Sequence, residues 1–279
     1  MIIPLTAAII FGLALAHYKW AISRTNLETK TFLCTHFLTL FGVGALAAWW
    51  WGSWETPLFS QPRYIGLFLI IVSFGLVYNY FLVRGFKRES LHEYELIDLL
   101  MPIFTVVLAA IAFVDEREPV RIGLALLGAS VFLITHWRRH QVVFKQADRW
   151  LVYAVFLMAL ERVLVKPILT IIDPIVLYTL RTGLISLILL FFFRPRLARI
   201  PAVEWLQLVI NGLLGVTSMV LIWTSINQFG VVVTELYLLV TPIVLAIVSL
   251  FFFKERWTLL QVWSFVVILA SIGLMNQLL

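Results

Sequence analysis

The sequence predicts an all-α membrane protein with ten transmembrane helices, arranged as two inverted five-helix repeats. Two observations carry this prediction: apolar stretches recur along the whole chain, and the two halves resemble each other. Of the 279 residues, 62% are hydrophobic and only 13% are charged, and the mean hydropathy is +1.00. A soluble domain carries about 25% charged residues, so the composition does not indicate a soluble domain in this chain.

Each predicted span is an apolar run of about 20 residues, which is the length of a helix that crosses a bilayer. Between the fifth and sixth runs lies a polar segment, 137–149, which is the predicted linker between a first repeat, 1–136, and a second repeat, 150–279. Its basic and aromatic residues suit a position at the membrane surface. The ten runs lie near 2–20, 32–51, 64–83, 91–114, 120–136, 150–170, 175–193, 203–224, 229–253 and 257–277.

The net charge of +6 does not indicate nucleic acid as a partner, because the basic residues lie in short loops between the apolar runs. Most of the Lys and Arg residues follow odd-numbered spans. Cytoplasmic loops carry such an excess of positive charge. The bias therefore places the odd loops in the cytoplasm and both termini outside.

An internal repeat appears when the first half is shifted by 140 residues along the second. The matched residues are Gly75 with Gly215, Glu95 with Glu235, Leu99 with Leu239, Pro102 with Pro242 and Phe113 with Phe253. Because each half has an odd number of predicted spans, the two copies must face in opposite directions. Inverted repeats of this kind are typical of secondary transporters, whose solute site lies between the copies.

Two stretches carry a family resemblance. TPIVLAIVSLFFFKERWTLLQVWSFVVILASIGLM, residues 241–275, has a proline, an apolar helix, a Glu-Arg turn and a second apolar helix. MPIFTVVLAAIAFVDEREPVRIGLALLGASVFLI, residues 101–134, is the same unit in the first half. Both resemble the closing helix pair of the drug/metabolite transporter superfamily, EamA type. The resemblance implies a ten-helix exporter or exchanger of small metabolites with both termini inside, which conflicts with the charge bias; we follow the charge bias.

Two glutamates in matching spans are the first candidates for a functional site. Glu95 lies seven residues before Pro102, and Glu235 lies seven before Pro242. Each proline lacks an N–H and leaves a backbone carbonyl free near its glutamate, which makes a candidate proton or cation site. A charge in a spanning helix costs at least about 2.5–3.5 kcal/mol, so it calls for a reason. The alternative is a first-turn acid, which the helix dipole stabilises by roughly 0.3–1 kcal/mol.

Other polar residues inside predicted spans extend the candidate site. Asp98 lies three residues beyond Glu95, near the same helix face. The planar guanidinium of Arg181 suits a substrate carboxylate or phosphate, or it pairs with an acid such as Glu161. Arg162 and Glu161 are adjacent and point about 100° apart, so we expect one of them to face the polar interior. Further candidates for lining a cavity are His36, Tyr78, Asn79, Trp223 and Tyr237.

These features predict a secondary active transporter that exports or exchanges a small amphipathic organic solute, such as an amine or amino acid, by alternating access with proton coupling. The alternatives are a membrane enzyme acting on a lipid-linked substrate, and a channel. No GxxxxGK[ST] loop, HExxH helix or GxSxG elbow occurs, so we expect no enzyme, no cofactor and no metal. The expected partners are a small-molecule solute, protons and the lipid bilayer of the inner (plasma) membrane. The expected oligomeric state is a monomer or a dimer.

Overall fold

The computed structural model describes residues 2–25, 27–54, 57–87, 97–140, 146–197, 200–253 and 259–278, and these ranges contain helices and no strand. Two short 3₁₀ helices, Pro57–Ser60 and Val114–Glu116, lie in loops. The α-helices are α1 (Ile2–Arg24), α2 (Thr29–Trp51), α3 (Pro62–Phe86), α4 (Leu100–Ala112), α5 (Pro119–His140), α6 (Gln146–Leu169), α7 (Pro174–Phe193), α8 (Ala202–Phe229), α9 (Val231–Leu238), α10 (Val240–Phe253) and α11 (Leu259–Leu278).

Six helical stretches in the described ranges are long and apolar enough to cross a membrane: α1, α2, α3, α7, α8, and the run Val231–Val248 formed by α9 and part of α10. Their outward faces carry large apolar side chains, such as Phe191 and Phe192, that are about 70% exposed (69% and 72%). Such faces suit lipid rather than water. The all-α prediction is confirmed at this level, and the count of ten spans stays a prediction.

The predicted linker is partly helical. Helix α5 continues to His140, four residues beyond the predicted end of its span, and α6 begins at Gln146, four residues before the predicted start. The polar residues at both ends of segment 137–149 therefore extend the flanking helices, which the hydropathy pattern alone does not reveal. Residues 141–145 lie outside the described residues.

Helices of the first half pack mainly on helices of the second half. The most extensive pairings are α1 with α8, α2 with α7, and α3 with α6. Helices α2 and α7 approach closely because each contributes a glycine to the contact: a Cβ at Gly183 would lie 2.8 Å from the ring of Phe41, and one at Gly44 would lie 3.0 Å from Oγ1 of Thr179. Small residues at helix crossings are the usual means of close packing within a bilayer.

The tryptophans at the end of α2 point outward. Trp49, Trp50 and Trp51 are 74–79% exposed (78%, 74% and 79%). Tryptophan prefers the boundary between hydrocarbon and headgroups, where its ring is in lipid and its N–H meets water. This cluster therefore marks one face of the membrane.

The chain turns sharply between α8 and α9 at Gly230, where φ is +87° and ψ is 171°. This backbone region is open essentially to glycine alone. The carboxylate of Glu116 accepts hydrogen bonds from the free N–H groups of Val231 (2.7 Å) and Val232 (3.1 Å) at the start of α9. Since Glu116 follows α4, this contact ties the first half of the chain to the start of α9.

We expect Gly230→Ala to lower the free energy of unfolding by about 1–3 kcal/mol, because alanine is strained at this backbone conformation. Its Cβ would also lie 2.6 Å from Oε1 of Glu116. Thermal unfolding in detergent measures the change. The matched control is Gly123→Ala in α5, where a Cβ meets nothing within 4 Å. Equal melting temperatures for the two variants would contradict this account of the turn.

Candidate functional site

Helix α6 carries two adjacent charged residues in the interior of the protein. Glu161 and Arg162 are each only 3% exposed. The sequence predicted that one of them would face the polar interior. Both are buried, and each pairs with an opposite charge on a different neighbouring helix.

Arg162 pairs with Glu235 of α9. Its Nη1 donates to Oε1 of Glu235 at 2.7 Å, and the glutamate side chain is fully buried. The guanidinium carbon also lies 5.6 Å from the ring centroid of Phe11 in α1. Within the described part of the chain, Nη2 of Arg162 and Oε2 of Glu235 have no hydrogen-bond partner. The pair therefore keeps one donor atom and one acceptor atom available.

Glu161 pairs with Arg181 of α7. The Nη2 atom of Arg181 donates to Oε2 of Glu161 at 2.9 Å and to the hydroxyl of Tyr78 at 2.7 Å, and its Nε contacts the second carboxylate oxygen. A Cβ at Gly75 in α3 would overlap Nη2, so glycine makes room for the guanidinium. Tyr78 and Gly75 belong to the first half, so this pair joins the two halves.

The four charges of this network sum to zero. An unpaired buried ion costs several kcal/mol of lost hydration, and a partner in direct contact offsets that cost. Glu161 and Arg162 each have such a partner on α7 or α9. The network is thus a neutral polar cluster at the place where α6, α7 and α9 meet.

Aromatic side chains surround Arg181. Its guanidinium carbon lies 5.8 Å from the ring centroid of Tyr78 and 6.0 Å from that of Tyr178. Tyr178 in turn packs edge-on against Trp223, with ring centroids 5.4 Å apart. On the side of the first half, the ring of Tyr18 packs against that of His36. We call Tyr18, His36, Tyr78, Tyr178 and Trp223 the aromatic cluster.

Several polar atoms of the aromatic cluster have no partner among the residues that the structure describes. They are the hydroxyl of Tyr18, Nδ1 of His36 and Nε1 of Trp223. The ring of His36 packs 4.7 Å from that of Tyr18. Buried polar groups are nearly always hydrogen-bonded, so these atoms can pair with water or with a bound molecule.

Some predicted residues turn away from this network. The Asn79 amide donates to the carbonyl of Gly75 in its own helix at 2.8 Å. The Tyr237 hydroxyl donates to Oδ1 of Asn276 on α11 rather than approaching Glu235. Their roles in solute binding stay predictions, as do the roles of the residues in the network.

The two acids predicted to lie near one helix face in the first half are Glu95 and Asp98. Asp98 is buried, while Glu95 lies outside the described residues. The described part of the chain contains no group of three or more His, Cys, Asp or Glu side chains that could hold a metal ion.

The two prolines occupy equivalent places. Pro102 is the third residue of α4 and follows an interruption at Leu99, and Pro242 is the third residue of α10 and follows an interruption at Leu239. The N–H of Leu239 is shared between the carbonyls of Glu235 and Leu236, each at 3.3 Å. Glu235 therefore lies on a short helical segment with a break on each side.

A second charged cluster, which the sequence did not predict, lies where α9 begins. Nζ of Lys166 lies 2.5 Å from Oδ2 of Asp115 and 2.5 Å from Oε1 of Glu116. The hydrogen bond from Lys166 is the main reason that the pKa of Asp115 lies below its usual value. The available signal was the match of Asp115-Glu116-Arg117 with the Glu-Arg motif of the second half.

A recess of about 470 Å³ lies at the opposite end, at the start of α2 and the end of α3. Its lining is mainly cationic, and partial burial lowers the pKa of Lys87 there. The lining residues are Glu28, Thr29, Lys30, Tyr80, Arg84 and Lys87.

We expect Glu161→Leu to destabilise the protein by about 3–5 kcal/mol, because it leaves Arg181 buried without a counter-charge. Adding Arg181→Leu should recover much of that loss, since the double variant contains neither charge. A double-mutant cycle measured by thermal unfolding in detergent tests the pair. Strictly additive effects of the two substitutions would show that the pair is not coupled.

The second half of the chain is similar to a family of known transporters. Residues 146–277 match the EamA-like transporter family. An uncharacterized transporter of Haemophilus influenzae is 23% identical over 231 residues, which cover 76% of this chain and 76% of that protein. A solved crystal structure aligns with 99% of this chain and 96% of its own chain, at a TM-score of 0.74 and 16% identity, which shows a shared fold alone. These similarities support a multi-pass membrane transporter whose second half is similar to the EamA-like transporter family.

Proposed function

We propose that the protein is a secondary active transporter that exports or exchanges a small amphipathic organic solute, such as an amine or amino acid, by alternating access coupled to protons. The observation that carries this proposal is the pair of buried Arg–Glu contacts around α6. Charged groups inside a membrane are rare, face the bundle interior and mark solute or proton pathways.

The packing of the helices supports two inverted repeats, residues 1–136 and 150–279. If the halves are exchanged, α1 takes the place of α6, and α3 takes the place of α8. The contact of α1 with α8 then becomes the contact of α6 with α3, and the contact of α2 with α7 is unchanged. All three are among the most extensive pairings in the molecule. A solute site between such repeats is the usual arrangement.

Proton coupling is assigned to Glu235. Its carboxylate holds Arg162, so protonation of Glu235 would leave the guanidinium without its counter-charge. The guanidinium of Arg162 could then bind another acceptor, and the short helix α9 would no longer be held to α6 by this ion pair. Because Gly230 and Leu239 interrupt the chain on both sides of α9, this segment is suited to a small independent shift.

We expect Glu235→Gln to abolish solute-dependent proton movement. The assay uses purified protein in liposomes with trapped pyranine, to which phenylalanine or phenethylamine is added. Glutamine keeps the shape of the side chain but cannot take up a proton at neutral pH. The matched control is Glu118→Gln, at a partly exposed acid that pairs with neighbouring Arg121, and this variant should behave like the parent. Undiminished proton movement in Glu235→Gln would remove the assigned role.

Alternating access requires an end of the molecule that closes and opens. In this conformation the start of α9 is closed by Glu116, which accepts from two backbone N–H groups and from Lys166. The recess with cationic lining lies at the opposite end. We assign Glu116 and Lys166 as the contact that must break when the closed end opens.

We expect Glu116→Ala to open this end more often. The readout is the labelling rate of Val232→Cys, in a Cys34→Ser background, by a membrane-impermeant maleimide. Val232 is 1% exposed in this conformation, so its cysteine should react slowly in the parent. In the variant it should react about tenfold faster if the substitution weakens closure by about 1.4 kcal/mol. Asp115→Ala is the control, because Asp115 contacts Lys166 but not α9. Equal labelling rates in the parent and in both variants would exclude this role of Glu116.

A further inference from the structure

The recess at the start of α2 and the end of α3 has a volume of about 470 Å³ and an excess of positive charge. Its lining contains three cations, Lys30, Arg84 and Lys87, and a single carboxylate, that of Glu28. Opposite charges attract most strongly where water is partly excluded, as it is in a recess. The lining therefore favours an anionic ligand.

Aromatic rings position two of the three cations. The guanidinium carbon of Arg84 lies 5.2 Å from the ring centroid of Trp150 in α6, and Nζ of Lys30 lies 5.4 Å from that of Phe193 in α7. Among the residues that the structure describes, neither Lys30 nor Arg84 has a carboxylate at salt-bridge distance. Because a ring contact does not neutralise a cation, both side chains remain able to bind an anion.

The start of α2 adds to the positive potential of the recess. Thr29 and Lys30, the first two residues of this 23-residue helix, belong to the lining. The side chain of the N-cap residue Glu28 does not accept a hydrogen bond from the first turn. The first N–H groups of a helix have no acceptor within the helix and form the positive end of its dipole. They therefore reinforce the charge that the three cations supply.

The surroundings of the recess suit a ligand with acyl chains. Phe193 is the last residue of α7, so Phe191 and Phe192 lie further into the membrane, and both are exposed. Trp150 lies near the start of α6, and exposed Tyr153 lies one turn deeper. Apolar surface thus extends toward the middle of the bilayer from both rings that contact a cation. A soluble anion would leave this surface unused.

The position of the recess along the chain also points to the lipid of one leaflet. It lies where α1 has ended and where α3 ends, on the side whose loops contain most of the Lys and Arg residues. The charge bias predicts that this side is cytoplasmic. Cytoplasmic leaflets contain anionic lipids, and basic pockets between spanning helices bind their headgroups.

We propose that this recess binds the phosphate group of an anionic phospholipid, such as phosphatidylglycerol, from the surrounding leaflet. Lys30, Arg84 and Lys87 bind the phosphate, the hydroxyl of Tyr80 in the lining donates to it, and the acyl chains lie on the exposed rings of α6 or α7. A zwitterionic headgroup binds less well, because the three cations repel its ammonium group. The site is separate from the solute and proton pathway proposed above.

The test adds three ligands to the purified full-length protein in detergent: phosphatidylglycerol, phosphatidylcholine with the same acyl chains, and inorganic phosphate. Native mass spectrometry counts the bound lipid, and a titration of the melting temperature measures its affinity. We expect phosphatidylglycerol to bind at least about fivefold more tightly than phosphatidylcholine, since each cation beside an anionic headgroup contributes about fivefold in affinity. Inorganic phosphate at the same concentration should leave the melting temperature unchanged.

Variants locate the site. Arg84→Gln should weaken the binding of phosphatidylglycerol at least about fivefold, whereas Arg84→Lys keeps the charge and should retain most of the affinity. The matched control is Arg63→Gln, near the opposite end of the same helix, which should bind like the parent. Lys30→Gln, at an exposed residue of the lining, is a second test that does not depend on how well Arg84→Gln folds.

Each outcome has a definite meaning. Equal affinity for phosphatidylglycerol and phosphatidylcholine would overturn recognition of an anionic headgroup. Stabilisation by inorganic phosphate equal to that by phosphatidylglycerol would show a site for a free anion and overturn the lipid assignment. Unchanged binding of phosphatidylglycerol in both Arg84→Gln and Lys30→Gln would overturn the location. Preference for phosphatidylglycerol that is lost in these variants and kept in Arg63→Gln supports the proposal.

Discussion

Two adjacent residues of α6 hold the interior of this protein together through opposite charges. Glu161 binds Arg181 on α7, and Arg162 binds Glu235 on α9. Tyr78 of α3 adds a hydrogen bond to Arg181, and Phe11 of α1 packs on Arg162. In a low-dielectric interior, water cannot take the place of these ion pairs. The helices of both halves therefore keep one arrangement until another charged or polar group replaces one member of an ion pair.

Buried polar groups also need partners at the ends of the helices. A membrane-embedded chain must satisfy its backbone polar groups internally. At Gly230 the chain starts a new helix, and the carboxylate of Glu116 supplies the acceptors that the first N–H groups need. Lys166 balances the charge of that carboxylate. This contact caps α9 and joins the two halves, and breaking only part of it would leave a buried charge or N–H group without a partner. Such a contact suits a switch between two discrete conformations.

Hydropathy and the internal repeat predicted the membrane class and most helix positions, because they depend on long stretches of similar residues. The sequence left open whether Arg181 binds a solute or Glu161. In this conformation Arg181 pairs with Glu161, because α6 and α7 bring the two side chains together. The aromatic cluster depended on side chains from five helices, so no local sequence pattern predicted Tyr18 or Tyr178. The break at Leu239 followed from Pro242, whereas the capping role of Glu116 depended on a turn more than a hundred residues away.

The central claim is that both glutamates of the network are ionised opposite their arginines. Infrared difference spectra between the parent and Glu235→Gln, and between the parent and Glu161→Gln, measure this directly in detergent at neutral pH. We expect each difference to show the loss of a carboxylate band and no loss of the carbonyl stretch of a protonated acid. A lost protonated-acid band in either difference would mean that the network is not charge-balanced and would contradict the account.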